Sequence, residues 1–272
     1  VDLAAGMIAG CSEVGSVEPV NGGVSCVFGT DFVVNSQGIE LQETSTLMQA
    51  SIETIAGKAE QDVATGSEFH NSRFLKSSLE DVGRTAAEMA RASLGGVKAE
   101  SGTFDVLLKP MAVAELLEAT LLPAVCADSV QKGRSALLGR VGEKIASESL
   151  QIVDDGLLPG GLDSSAFDAE GVPSQKTVLI EDGVLKGFLY DSYTAGKDGV
   201  QSTGNADRAG YSDVPSVGIR NMIISSPDAR DLLAETKGYK VGGLIGAHTA
   251  NPISGDFSVE ARNCFFIAPG EA

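Results

Sequence analysis

Apolar residues recur along this chain at two different periods, and the changes of period mark its elements. Over 77–96, "SSLEDVGRTAAEMARASLGG", Leu79, Val82, Ala86, Met89 or Ala90, and Leu94 fall at helical spacing. Ser77 and Glu80 stand at capping-box spacing, and Gly95-Gly96 supplies a stop, so the pattern predicts a helix there. Residues 1–10 read as the tail of another helix, closing at Gly10. From Val20 to about Val63 the pattern turns to short strands, punctuated at Gly29-Thr30 and by the turn cluster Asn35-Ser36-Gln37-Gly38. In "TLMQASIETIAG", Met48, Ala50 and Ile52 alternate at period two, although a helix also fits the run.

Beyond the polar stretch 97–103, "VKAESGT", the strand "FDVLLKP" leads into an apolar helix from Met111. Pro110 suits that helix's first turn, and Pro123 should kink or end it. A strand-rich region follows: "LQIVDDG", "TVLIEDGVLKGFLYD", "NMIISS", "VGGLIGAH" and "FSVEARNCFFIAPGE". Asp182-Gly183 between apolar runs predicts a hairpin with a type I′ turn. A last helix is predicted in "SPDARDLLAETKG", with Ser226 as cap, Pro227 at its first position and Gly238 as stop. Strands outnumber helices without alternating with them, which predicts an α+β fold. It has two mixed α/β regions, 1–98 and 99–272, of which the C-terminal one is strand-rich with few helices.

Composition narrows the function. The 272 residues are 43% hydrophobic and 21% charged, a balance that buries a substantial core. A net charge of −17 repels phosphate backbones, so no direct nucleic-acid partner is expected. No apolar run is long enough for a membrane-spanning helix, and no membrane partner is expected. Cys11, Cys26, Cys126 and Cys264 form no C-x-x-C pair, which speaks for reduced thiols in a cytoplasmic protein. The start "VDLAAGMIAG" has neither an initiator Met nor a basic leader, as in a piece of a longer protein without a secretory signal.

The search for chemistry eliminates more than it finds. The two histidines, His70 and His248, share no metal-binding spacing. No nucleophile elbow, phosphate loop or dinucleotide fingerprint occurs. Glu115 and Glu118 share a helix face, and without a nearby His they read as its solvated edge. The segment "VDDGLLPGGLDSSAFDAEGVPSQ" gathers Asp154, Asp155, Asp163, Asp168 and Glu170 among glycines. It reads as a solvated loop with Asx turns or as the lining of a groove that binds a peptide amine. "STGNADR" is a tight polar loop in which Asn205 and Arg208 either tie a turn or reach a ligand carboxylate. The residues alone carry the argument to a soluble α+β protein that binds a ligand or a partner.

Five segments stand in one order over 132–263: "KGRSALLGRVGEKIAS", "QIVDDG", "FDAEGVPSQKTVLIEDGVLKGFLYDSYTA", "STGNADR" and "NPISGDFSVEARN". Together they resemble the C-terminal domain of the TldD/PmbA family, also called peptidase family U62 or modulators of DNA gyrase. Upstream, "VVNSQGIELQETST" resembles the family's N-terminal domain, so the likeness covers nearly the whole chain. The resemblance implies a two-subunit cytoplasmic zinc peptidase that cleaves small or unfolded peptides in a closed chamber. Its TldD kind carries an H-E-x-x-x-H helix and a further Cys ligand; its PmbA/TldE kind lacks them. Aligned on "KGRSALLGR", the ligand positions fall at Leu117 or Glu118 and at Leu122 or Pro123, and Gly255 stands where the Cys would be.

The resemblance therefore implies a PmbA/TldE-type subunit of a heterodimer, with no catalytic residue, no metal ligand and no cofactor of its own. Zinc is expected in a TldD-like partner. The expected partners are that zinc peptidase subunit, a peptide substrate and, when the chain is alone, further copies of itself. Asp168, Glu170, Gly171, Asn205 and Arg208 are the residues expected to face the chamber. The alternatives are a hydrolase active on its own and a modulator that binds DNA gyrase.

Overall fold

A computed structural model of the chain describes residues 2–58, 62–227 and 230–269. It divides into two compact units: Val1–Thr30, Thr44–Asp105 and Asn263–Phe266 form the first, and Asp31–Glu43, Val106–Arg262 and Ile267–Ala272 the second. Helices and several sheets are both present, in an α+β arrangement.

Wholly or mostly in the first unit are α1 (Asp2–Glu13), β1 (Val17–Val34), β2 (Glu40–Lys58), β3 (Asp62–Ser72) and α2 (Glu80–Ala92), with the three strands ordered β1-β2-β3. β1 and β2 are single long strands; Gly29-Thr30 does not interrupt the first. The expected period-two alternation is present in β2, where Met48, Ala50, Ile52, Thr54 and Ala56 are buried and their neighbours are not. Those residues meet Leu79, Val82, Ala86 and Ala90 of the α2 segment in one core. The buried Thr54 hydroxyl lies within bonding distance of the carbonyls of Gly66 (3.1 Å) and Ala86 (3.0 Å), tying strand to helix.

Two sequence expectations fail here. α1 does not close at Gly10 but continues to Glu13. A Cβ on Gly10 would lie 1.9 Å from the Glu80 carbonyl oxygen, and one on Gly83 would lie 1.8 Å from that of Met7. The glycines thus serve a close helix crossing, not a stop. The Ser77–Glu80 capping box is also absent: Leu79 occupies the cap position, wholly buried, and Ser78 Oγ accepts the Glu80 N–H at 3.3 Å instead. Burial of Leu79 in the core sets the helix start in place of the capping hydroxyl.

The remaining elements are β4 (Asp105–Leu108), α3 (Pro110–Ala119), α4 (Leu121–Val125), α5 (Ala127–Gln131), β5 (Gln151–Asp155), β6 (Lys176–Glu181), β7 (Val184–Leu185), α6 (Ser192–Asp198), β8 (Ala206–Asp207), β9 (Ser216–Val217), β10 (Met222–Ser225), α7 (Leu232–Glu235), β11 (Gly238–Ile245) and β12 (Glu260–Ile267), all in the second unit except Asp105 and the 263–266 part of β12. Its sheets are ordered β10-β5-β6-β7, β12-β11-β4 and β8-β9. The β6–β7 turn has Asp182 and Gly183 at φ 51° and 74°, as a type I′ hairpin requires. The apolar helix breaks at Thr120, three residues before Pro123. That placement spares the carbonyl that the proline ring would strike.

The last helix is short. It is capped by Asp231, whose side chain accepts the Ala234 N–H at 3.1 Å, and it buries no residue. Without a buried face, nothing holds a longer helix. The start of the expected helix at 228–229 lies outside the described residues. No helix among the described residues is long and apolar enough to cross a membrane.

Candidate functional site

The acidic segment is only partly solvated: Asp163 is exposed, and Asp155 and Asp168 each close an Asx turn, on the N–H of Leu157 and of Glu170, but two of its carboxylates lie inside. Asp154 and Asp168 are each 1% exposed, and both carboxylates are consumed by internal hydrogen bonds. Asp154 sits on β5 two residues after buried Ile152, at the inward position of the alternation. Its Oδ2 accepts from Asn205 Nδ2 at 2.7 Å and its Oδ1 accepts from the Arg220 backbone N–H at 2.9 Å. Burial nevertheless pushes its carboxyl above the ordinary value, against the opposing pull of Asn205 and Arg220.

Asp168 organises the next turn. Its Oδ1 accepts the N–H groups of Glu170 and Val172 at 2.9 Å, and its Oδ2 accepts that of Ala206 at 3.0 Å. Ala169 N–H donates to the Ala206 carbonyl at 3.1 Å, so "FDAEGVP" and "STGNADR" are joined side by side. Glu170 Oε2 accepts from Ser192 N–H at 2.8 Å, at the first residue of α6. Gly171 adopts φ +82°, and a Cβ there would lie 2.8 Å from Ile39 Cγ2. The tip of the β1–β2 hairpin therefore needs this glycine, while Glu43 Oε2 accepts the Ala166 N–H at 2.9 Å nearby.

Asn205 is 2% exposed and saturated. Besides Asp154, its amide donates to the Gly218 carbonyl at 3.1 Å and accepts from Thr203 Oγ1 at 2.7 Å. Arg208 is different: it is exposed at the mouth of the β8–β9 hairpin, where Nη1 donates to the Asp213 carbonyl at 2.7 Å. The eight-residue loop that it opens carries Tyr211 at 99% and Val214 at 86% exposure. The structure thus brings Asp168, Glu170, Gly171 and Asn205 into one network and leaves Arg208 on the surface above it.

Two members escaped sequence reasoning. Arg220 donates through Nη2 to the Ala206 carbonyl at 3.1 Å and lies 3.8 Å from Asp163, while its Nε is buried without a protein partner. Asp154 was visible only as part of an acidic run. The signal for it was local: a carboxylate at the buried phase of a strand demands a partner.

At the second candidate region, α3 and α4 supply the stretch aligned with a metal helix. Glu115 is not a solvated edge. Its Oε1 accepts from Arg262 Nη2 at 2.8 Å and its Oε2 accepts the Leu244 N–H, which pins β11 and β12 to α3. Of the two glutamates only Glu118 is exposed.

The residues present do not fit zinc. Leu117, Leu122 and Pro123 offer no side-chain donor, Glu118 would supply at most one carboxylate where three ligands are needed, and Cys126 spends its thiol on the Leu122 carbonyl at 3.2 Å. Burial pushes that thiol up to about 12, so it is neither a thiolate nor a nucleophile at neutral pH. Gly255 stands at φ +79° in a turn closed by Gly255 N–H to the Asn251 carbonyl at 2.8 Å, a conformation that strains any side chain. Among the described residues no three His, Cys, Asp or Glu are grouped to hold a metal ion.

Comparison with known proteins agrees with this picture of the fold. The family description "PmbA/TldA metallopeptidase C-terminal domain" matches residues 101–272, and "PmbA/TldA metallopeptidase central domain" matches residues 1–94. An uncharacterized protein of Methanocaldococcus jannaschii is 39% identical over 93% of this chain and 58% of its own length. A protein of Haemophilus influenzae named metalloprotease TldD homolog is 28% identical over 94% of this chain and 55% of its own. Among solved structures, TldE from Thermococcus kodakarensis superposes with a TM-score of 0.90 at 31% identity, covering 98% of this chain and 61% of that one. The chain thus spans a little over half the length of the relatives it matches.

Proposed function

Because the chain belongs to the PmbA/TldD metallopeptidase family, we propose that it is the non-catalytic, PmbA/TldE-type subunit of a two-subunit zinc peptidase. In this role it pairs with a TldD-like subunit and helps enclose the chamber where small or unfolded peptides are cleaved. The observation that carries the proposal is the chemistry of the α3–α4 stretch. A catalytic zinc needs about three firm protein ligands and an open position. The aligned positions hold Leu117 or Glu118, Leu122 or Pro123, and a glycine in a left-handed turn.

The chamber wall is proposed to be the β8–β9 loop with Arg208, held at its base by Asp154, Asp168 and Asn205. Glu170 and Gly171 seat that base against α6 and the hairpin tip. Exposed guanidinium groups suit peptide carboxylates, which they bind through two parallel hydrogen bonds. A cytoplasmic location is proposed as well, in keeping with four cysteines that stand as free thiols.

The test is peptide hydrolysis by this chain, by a TldD-like homologue bearing H-E-x-x-x-H, and by their mixture, each with and without chelator. Only samples containing the TldD-like subunit should cleave, and chelator should abolish that cleavage. Arg208→Ala should leave the pair assembled on gel filtration yet slow cleavage several-fold. Hydrolysis by this chain alone in the presence of chelator would overturn the proposal.

A further inference from the structure

Of the seven asparagines in the sequence, only Asn21 of β1 precedes a glycine; the others precede Ser, Ala, Met, Pro or Cys. The pair is reactive by its own chemistry. A backbone nitrogen that follows asparagine attacks the side-chain amide carbon, and it is least shielded when its own residue has no side chain. The structure puts the reacting groups together. Gly22 N–H donates to Asn21 Oδ1 at 2.9 Å, so the attacking nitrogen lies against the amide group that it would open. Other amides are held elsewhere. Asn35 Oδ1 accepts the N–H groups of Gln37 and Ile39, Asn221 Nδ2 donates to the Asp155 carbonyl and Ser164 Oγ, and Asn205 is buried.

The fold also fixes the glycine. A Cβ on Gly22 would lie 2.6 Å from the Ser51 carbonyl oxygen and 3.1 Å from Ile52 Cα, both on β2. The close approach of the two strands thus requires the very residue that leaves the nitrogen unshielded. We propose that Asn21 is a self-modifying site, converted within the folded strand to aspartate and isoaspartate through a succinimide.

The Gly22 nitrogen gives its proton to hydroxide and bonds to Asn21 Cγ, whose amide leaves as ammonia. One water then opens the ring. Opening at Cγ gives aspartate; opening at the main-chain carbonyl gives isoaspartate, in which the chain runs through Cγ and the α-carboxylate hangs free. Either product puts a negative charge into 19–30, "PVNGGVSCVFGT", a run that has none. The isoaspartyl link also lengthens the main chain of β1 by one atom, which disturbs its register against β2. The ring closes within one residue pair and needs no partner.

This proposal stands whether or not the chain is a peptidase subunit. The experiment ages the purified chain, folded and in urea, in neutral and in mildly alkaline buffer. Peptide mass mapping reads the conversion at each asparagine. Isoaspartate is read by methyl transfer from labelled S-adenosylmethionine with an isoaspartyl methyltransferase. The folded chain should convert Asn21 within a few-fold of the unfolded rate, and several-fold faster than Asn35 or Asn71. Alkaline buffer should speed the conversion several-fold. Asn21→Gln should remove most of the label and leave the circular dichroism spectrum unchanged. A folded chain spared at Asn21 while the unfolded one converts would overturn the proposal. So would a label indifferent to Asn21→Gln, or conversion led by Asn35 or Asn71.

Discussion

At the scale of the residue, the chain turns acidic side chains inward. Asp154 and Asp168 are buried carboxylates that hold backbone and side-chain donors from three different segments, at Glu170, at Asn205-Ala206 and at Arg220. Removing one leaves those donors desolvated, which costs more than the bond itself contributes. Asp154→Ala should therefore destabilise the second unit by about 2–4 kcal/mol in urea denaturation. Its pH dependence has a definite sign. Burial raises the folded-state pKa of Asp154 above its unfolded value, so the folded chain keeps the proton longer. The group's contribution is fully present below the unfolded value and declines as pH rises through the raised one. The penalty of Asp154→Ala should thus be larger near pH 3.5, roughly at the unfolded carboxyl pKa, than at neutrality. A penalty that grows with pH would mean the site prefers the ionised carboxylate.

At the scale of the element, local chemistry was legible and tertiary contact was not. The Asp182-Gly183 hairpin and the Asn35 turn could be read directly, because each is decided by its own backbone. In the latter, Asn35 Oδ1 accepts from Gln37 N–H at 2.9 Å. The α2 start could not, because the burial of Leu79 outweighs the Ser77–Glu80 signal. Gly10 looked like a stop for the same reason: the helix that touches it lies some seventy residues away in sequence. That crossing gives the element-scale prediction. Gly83→Ala puts a methyl group into the Met7 carbonyl and should cost about 3 kcal/mol of the first unit's stability, read by thermal or urea unfolding. Gly96→Ala, whose Cβ would come no closer than 3.7 Å to its neighbour, should stay within about 0.5 kcal/mol of wild type. Equal losses would show that α1 and α2 do not cross as described.

At the scale of the whole molecule, the α+β class was legible because strand and helix periods separate cleanly. The two compact units interleave along the chain, since residues 31–43 and 263–266 belong with segments distant in sequence. The candidate site was half legible. "FDAEGVP" and "STGNADR" do come together, but Asp168 and Asn205 are interior scaffolding, and Arg220, just before the strand run "NMIISS", gave no signal. The largest claim concerns what the α3–α4 stretch lacks, and elemental analysis of zinc in the purified, untagged chain tests it most directly. The account expects a zinc content near zero after dialysis. One zinc per chain surviving dialysis would contradict it, and would make this chain a metallopeptidase in its own right.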